Sequence, residues 1–229
     1  MTPRRHSFVD GTALAVRLAD DVAASLARRL RADGRAGLVL SGGRTPVAFL
    51  RALGAHELDW RSVRITLADE RCVAADSPAS NLRLLRESFA GTAAAAAVLP
   101  AFDMTAAAAA QHWRDWLAQL PRPFAAVVLG MGDDGHFASL FPHMPGLAPA
   151  LNPRGAATVV HGLAPVAPQS RLSLTLAALL ETDLLALHIT GASKLAVLER
   201  AQQTGSELDL PVRALLRQDR ASLEVYHAP

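Results

Sequence analysis

Five short apolar runs recur along the chain: GLVL at 37–40, VRITLA at 63–68, AAVVLG at 125–130, LLALHITG at 184–191 and LEVYH at 223–227. Runs of this length and composition fit strands buried on both faces. Segments of helical period separate them. Asp10 is placed to cap a helix in which Leu14, Leu18, Val22 and Leu26 recur every four residues, up to a stop near Gly34. Thr45 and Pro46 can open a second helix, with proline in its first turn. Ser80 can cap a third over SNLRLLRESF. A fourth, TAAAAAQHWRDWLAQL at 105–120, is closed by Pro121 and Pro123, and ASKLAVLERAQ at 192–202 makes a fifth. The alanine runs at 93–97 and 106–110 read as helix filler or loop. Strands that alternate with helices predict an α/β fold, a mostly parallel, doubly wound Rossmann-like sheet with helices on both faces. A length of 229 residues suits a single domain over residues 1–229.

In such a sheet, ligands bind beyond the carboxyl ends of the strands. The four segments richest in chemistry, SGGRTP, ADER, GMGDDGH and GASK, each follow an apolar run directly. All four are therefore expected on one rim, with ADERCVAADSPAS at 68–80 read as a loop. Ser41, Gly42, Gly43 and Thr45 combine flexible backbone, hydroxyls and a helix start, which suits an anion such as phosphate. A Walker loop is excluded because the Gly-Lys-Ser/Thr ending is missing. Asp69 suits sugar hydroxyls, Arg71 a phosphate or carboxylate, and Lys194 adds a cation near a helix start. In GMGDDGH, a carboxylate beside His136 can fix the imidazole tautomer for proton transfer near neutral pH.

The spacing G-x-G-x-x-G in GMGDDG also raises a dinucleotide site. Two aspartates inside the turn would repel a pyrophosphate, and Pro142 and Pro145 interrupt the helix that should follow. After Asp134 the next acid is Glu181, so the ribose-binding acid expected about 20 residues on is absent. Asp134, His136 and His143 could contribute metal ligands, but no second cluster has ligand spacing. No G-x-S-x-G elbow is present for serine catalysis.

Composition narrows the partners. There are 23 basic and 21 acidic residues, so no basic field marks a nucleic-acid protein. Of the basic residues, 22 are Arg and only Lys194 is Lys, which singles it out as a compact ammonium. Cys72 stands alone, so no internal disulfide forms and a reducing compartment fits. No apolar stretch approaches the ~20 residues of a membrane span, and the N-terminal residues do not resemble a signal peptide. The expectation is a cytoplasmic monomer with neither nucleic acid nor membrane as partner.

Taken together, LSGGRTP, ADERCV with SPASN, GMGDDGHFASLFP, APVAPQSRLSLT and GASK resemble the glucosamine-6-phosphate isomerase/6-phosphogluconolactonase family over residues 40–194. The resemblance implies the lactonase branch, which hydrolyses a sugar-phosphate lactone of the pentose phosphate pathway. It further implies His136 as general base, Asp134 as its orienting carboxylate, and the SGG loop, Arg71, Lys194 and Arg171 as phosphate and sugar contacts. A lactone is an activated cyclic ester, so no cofactor is expected. Phe137 stands where the family usually has Thr, so a hydroxyl contact beside the histidine is missing. The deaminase branch continues from Gly-His towards an Asn-Glu-Pro segment, whereas this chain reads ASLFP. The alternatives left open are a sugar-phosphate isomerase or deaminase and a non-catalytic sugar-phosphate sensor.

Overall fold

The structure is a computed structural model that describes residues 3–43, 45–99, 103–105 and 107–229. Arg44 of the SGGRTP motif and Ala106 of the second alanine run lie outside the described residues. The chain begins β1 (Arg4–Ser7), α1 (Gly11–Asp33), β2 (Ala36–Leu40), α2 (Val47–Gly54), β3 (Val63–Leu67), β4 (Asp69–Arg71) and α3 (Asn81–Phe89). It continues with α4 (Ala109–Gln119), β5 (Phe124–Leu129), α5 (Leu147–Ala150), β6 (Val159–Leu163), β7 (Ser170–Leu174) and α6 (Leu176–Leu179). The last elements are β8 (Thr182–Thr190), α7 (Ala192–Gln202), α8 (Val212–Arg217) and β9 (Leu223–Ala228).

Six strands form one sheet in the order β1-β9-β8-β5-β2-β3, and every neighbouring pair in it is parallel. All five expected strands are present in it. The inner strands β2 and β5 are buried along their whole length, as runs covered on both faces must be. The long helix α1 packs across β2, β5, β8 and β9. It does so because Leu14, Leu18, Val22 and Leu26 share one face and are wholly buried. Asp10 caps it by accepting from the Ala13 amide at 2.8 Å. Gly34, at φ 69°, ends it by donating to the Leu30 carbonyl. Ser25 Oγ donates to the Ala125 carbonyl at 2.7 Å and ties this helix to the central strand.

Three expectations change. ADER is not a loop: Asp69–Arg71 is strand β4, paired antiparallel with β7, and β7 pairs with β6 to complete a second, three-stranded sheet. The partner that makes ADER a strand lies 100 residues further along, beyond the reach of local pattern. The fourth helix is shorter than expected and starts at Ala109. Pro46 sits at the N-cap of α2 instead of its first turn, and no side chain caps that helix.

Because β2 leads to β3 on one side and β5 lies on the other, the strand order reverses between β2 and β5. That crevice is where ligands bind in sheets of this type.

Candidate active site

The carboxyl end of β5 delivers the GMGDDGH turn into the crevice. The turn closes on itself: the Gly132 amide donates to the His136 carbonyl at 2.9 Å, and Gly135, at φ 76°, donates to the Gly132 carbonyl at 3.0 Å. This brings Asp134 Oδ1 to 2.5 Å from His136 Nδ1, and the same oxygen accepts from the His136 amide at 3.2 Å. Burial works to raise the Asp134 pKa, but the hydrogen bond and charge of His136 outweigh it, and the carboxyl is held below its ordinary value. An ionised Asp134 keeps the shared proton on Nδ1 and leaves the Nε2 lone pair free to accept another. The ring is 28% exposed and rests against Phe141, with centroids 4.3 Å apart.

A strap from the 203–213 segment supports the turn from behind. The Val212 amide donates to the Gly135 carbonyl at 2.9 Å, and Leu210 packs directly over Gly135. His143, offered by sequence as a metal ligand, instead pairs with Asp209 at 3.2 Å. Among the described residues no group of three or more His, Cys, Asp or Glu side chains is disposed to hold a metal ion.

His136 opens onto a cavity of about 430 Å³. Eight of the ten residues expected at the site line it: Ser41, Gly42, Gly43, Thr45, Asp69, Arg71, His136 and Lys194. Asp134 stands behind His136. Arg171 does not line the cavity. It is the register partner of Arg71 across β4 and β7, only 6% exposed, with Nη1 unpartnered among the described residues. Burial, with the neighbouring Arg71 charge, lowers its pKa. Phe137 is wholly buried in the core, so the side chain at the position where the family usually has Thr turns away from the cavity.

Alternation along β4 explains the roles available to ADER. Asp69 and Arg71 face the cavity, while Glu70 points towards the start of α3. The Glu70 carboxylate accepts from Ser80 Oγ at 2.9 Å and from the amides of Arg71, Asn81 and Leu82 at 2.6, 2.8 and 2.7 Å. Burial pushes this carboxyl up and the four donors pull against it. Glu70→Gln removes the charge and turns an amide N–H towards a donor; it should cost about 3 kcal/mol and lower Tm by roughly 6–12 °C in a thermal melt. Asp69 Oδ2 accepts from Ser139 Oγ at 2.6 Å, which ties the small sheet to the segment following His136. Arg71 is steadied by donating from Nη1 to the Ala79 carbonyl at 2.5 Å.

The SGG loop and the start of α7 offer donors for an anion. The Ser41 hydroxyl is buried, lines the cavity and has no hydrogen-bond partner among the described residues. The Gly42 and Gly43 amides likewise meet no described acceptor. Gly42 must be glycine, since a Cβ there would fall 2.0 Å from Asn81 Oδ1. Lys194 lies in the first turn of α7, whose N-cap, Gly191, provides no side-chain cap. Next to it, Ser193 Oγ donates to Asp133 Oδ1 at 3.3 Å and links the GASK and DDGH segments.

Sequence reasoning passed over two polar side chains of the cavity, Asn81 and His188. Asn81 was visible only as the end of SPASN. His188 is the one polar side chain inside the apolar stretch LLALHI, a signal that could have been used. It is 4% exposed, and burial, with the nearby Lys194 charge, lowers its pKa from 6.5 to about 4. In the unfolded chain this imidazole takes a proton near pH 6.5, in the folded chain only near 4, so between the two the unfolded state binds more protons. Folding stability should fall by up to about 3 kcal/mol as pH drops through that window, and urea midpoints should show less of this fall in His188→Leu.

Comparison with known proteins shows the family to which this sequence and fold belong. The family model described as glucosamine-6-phosphate isomerases/6-phosphogluconolactonase matches residues 9–224. A 6-phosphogluconolactonase of Rhizobium meliloti is 42% identical, with both chains covered over 100% of their length. One from Pseudomonas aeruginosa is 44% identical over 87% of this chain and 85% of its own. The crystal structure of a 6-phosphogluconolactonase from Shewanella baltica superposes with a TM-score of 0.91 at 37% identity, covering 99% of this chain and 98% of that one. A monomeric glucosamine-6-phosphate deaminase shares the fold, with a TM-score of 0.73 at 18% identity. With its cavity formed at the sheet crevice and its match running from residue 9 to residue 224, this chain belongs to the glucosamine-6-phosphate isomerase/6-phosphogluconolactonase family.

Proposed function

We propose that this chain hydrolyses 6-phospho-D-glucono-1,5-lactone to 6-phospho-D-gluconate, a step of the oxidative pentose phosphate pathway. The observation that carries the reading is one cavity in which a carboxylate-paired imidazole faces a set of unengaged anion donors. In this mechanism the 6-phosphate is held by Ser41, Gly42, Gly43, Thr45, Arg71 and Lys194, while Asp69 meets sugar hydroxyls. The lactone carbonyl C1 then lies beside His136.

His136 Nε2 takes a proton from a water molecule as the water oxygen bonds to C1. The tetrahedral intermediate collapses by breaking the bond from C1 to the ring oxygen, and the imidazolium returns its proton to that oxygen. Asp134 holds the imidazole and stabilises its charge throughout. The developing oxyanion calls for a hydrogen-bond donor, for which backbone amides of a glycine loop or Arg71 are the candidates. Fixing both ends of the substrate supplies the rest of the acceleration.

A monomer is the assembly proposed, and the lone Cys72 suits the reducing cytoplasm. Among the described residues no helix is long and apolar enough to cross a membrane.

The test is lactone hydrolysis at mildly acidic pH, where the spontaneous reaction is slow, with ammonia release from glucosamine 6-phosphate measured in parallel. Hydrolysis well above background without ammonia is expected. Ammonia release, or hydrolysis at the background rate, would overturn the assignment. The unphosphorylated lactone should lose most of kcat/KM, through a weaker KM, because its anion donors go unused.

A further inference from the structure

One hydrogen-bonding group in the cavity has no task in that mechanism. His188 stands at the carboxyl end of β8, one residue beyond the Leu129–Leu187 pair, and lines the cavity while remaining 4% exposed. Its ring meets Phe49 edge-on, with centroids 6.2 Å apart and planes at 82°. Lys194 is the charged group that acts on it. Neither ring nitrogen is hydrogen-bonded by a described residue. The ring as a whole is buried, but its nitrogens are not sealed off from the cavity it lines, so they are free to bond to whatever fills that space. A bound ligand would give them a partner.

The neighbours say which part of the ligand. Lys194 opens α7, and Phe49 belongs to α2, the helix entered from the Gly42–Thr45 loop. Both belong to the wall assigned to the anion. An uncharged imidazole carries one N–H donor and one acceptor lone pair, and a phosphoryl oxygen is an acceptor only. We propose that His188 donates a hydrogen bond to the phosphoryl group of the bound substrate and is a specificity residue for phosphorylated over unphosphorylated lactones. The identity of that substrate rests on the lactonase reading above. His188 contributes direction where Lys194 contributes charge: an ammonium attracts any anion, whereas a ring fixed against Phe49 offers its N–H along one line.

Inorganic phosphate is the first probe, because it reports on this contact without catalysis. Titrating it into the wild-type protein should shift the His188 imidazole Cε1–H resonance. By calorimetry, His188→Leu should bind phosphate about tenfold more weakly, and His188→Gln, which keeps an N–H, should recover part of the loss. In kinetics, the ratio of kcat/KM for the phosphorylated lactone to that for glucono-1,5-lactone should narrow about tenfold in His188→Leu, through KM. Unchanged phosphate affinity in a folded His188→Leu, or equal losses on both lactones, would overturn the proposal. If His188→Leu does not fold, a wild-type His188 resonance unmoved by saturating phosphate overturns it equally. A wild-type protein that binds phosphate through His188 but hydrolyses no lactone would refute the lactonase reading and leave this contact standing.

Discussion

His136→Gln should lower kcat for lactone hydrolysis roughly a hundred- to ten-thousand-fold while KM changes little. Glutamine keeps a polar side chain of similar reach but cannot take a proton from water near neutrality. The anion donors are untouched, so binding persists. The ring is partly exposed and, among the described residues, meets the Phe141 ring alone, so the fold should survive and a circular dichroism melt should confirm it. His136→Ala should fall to the same floor. A kcat retained within a few-fold in both variants would remove His136 from the chemistry.

Nearly as large a loss is expected from a single methyl group. A Cβ on Gly132 would lie 2.2 Å from His136 Cε1, 2.3 Å from Nδ1 and 2.7 Å from Asp134 Oδ1. Gly132→Ala must therefore push the imidazole off its carboxylate or distort the turn that presents both. We expect kcat to drop by about two orders of magnitude, the lower range of what a displaced general base costs. Phosphate affinity should stay near the wild-type value, since the SGG loop and Lys194 belong to other elements. A variant with normal kcat would mean that the imidazole works without the position Asp134 imposes. Equal loss of phosphate binding would point to collapse of the whole cavity.

The elements legible in sequence are those whose burial is continuous or strictly periodic. Strands β2 and β5 are apolar throughout, and α1 buries a leucine or valine at every fourth residue, because each meets a partner along its whole length. The RRHS strand β1 was invisible: it is four residues long, mostly exposed and polar, and becomes a strand only by pairing with β9. The small sheet escaped for a related reason, since β4 has three residues and its partner β7 is distant. Without the small sheet, nothing in the sequence shows that Arg171, which the resemblance implies as a ligand contact, is the register partner of Arg71. The DDGH dyad could be read directly because both partners lie within one turn. Asn81 against Gly42 and His188 against Phe49 could not, because those approaches are made by helices folding back over the sheet.

The edge of the main sheet carries a consequence for biosynthesis. Strand β1 has a single neighbour, β9, which intervenes between it and β8. A ribosome translates β1 well before its mate, whose register partner for Arg4 is Glu224, so β1 waits unzipped while all the intervening residues are added. Until residues 223–228 emerge, β8 presents a bare hydrogen-bonding edge to the cell. The catalytic crevice, on the far side of β5, can assemble before that seam closes. Nascent chains halted near residue 220 should therefore hold a nearly complete substrate cavity inside a particle still prone to stick to its neighbours.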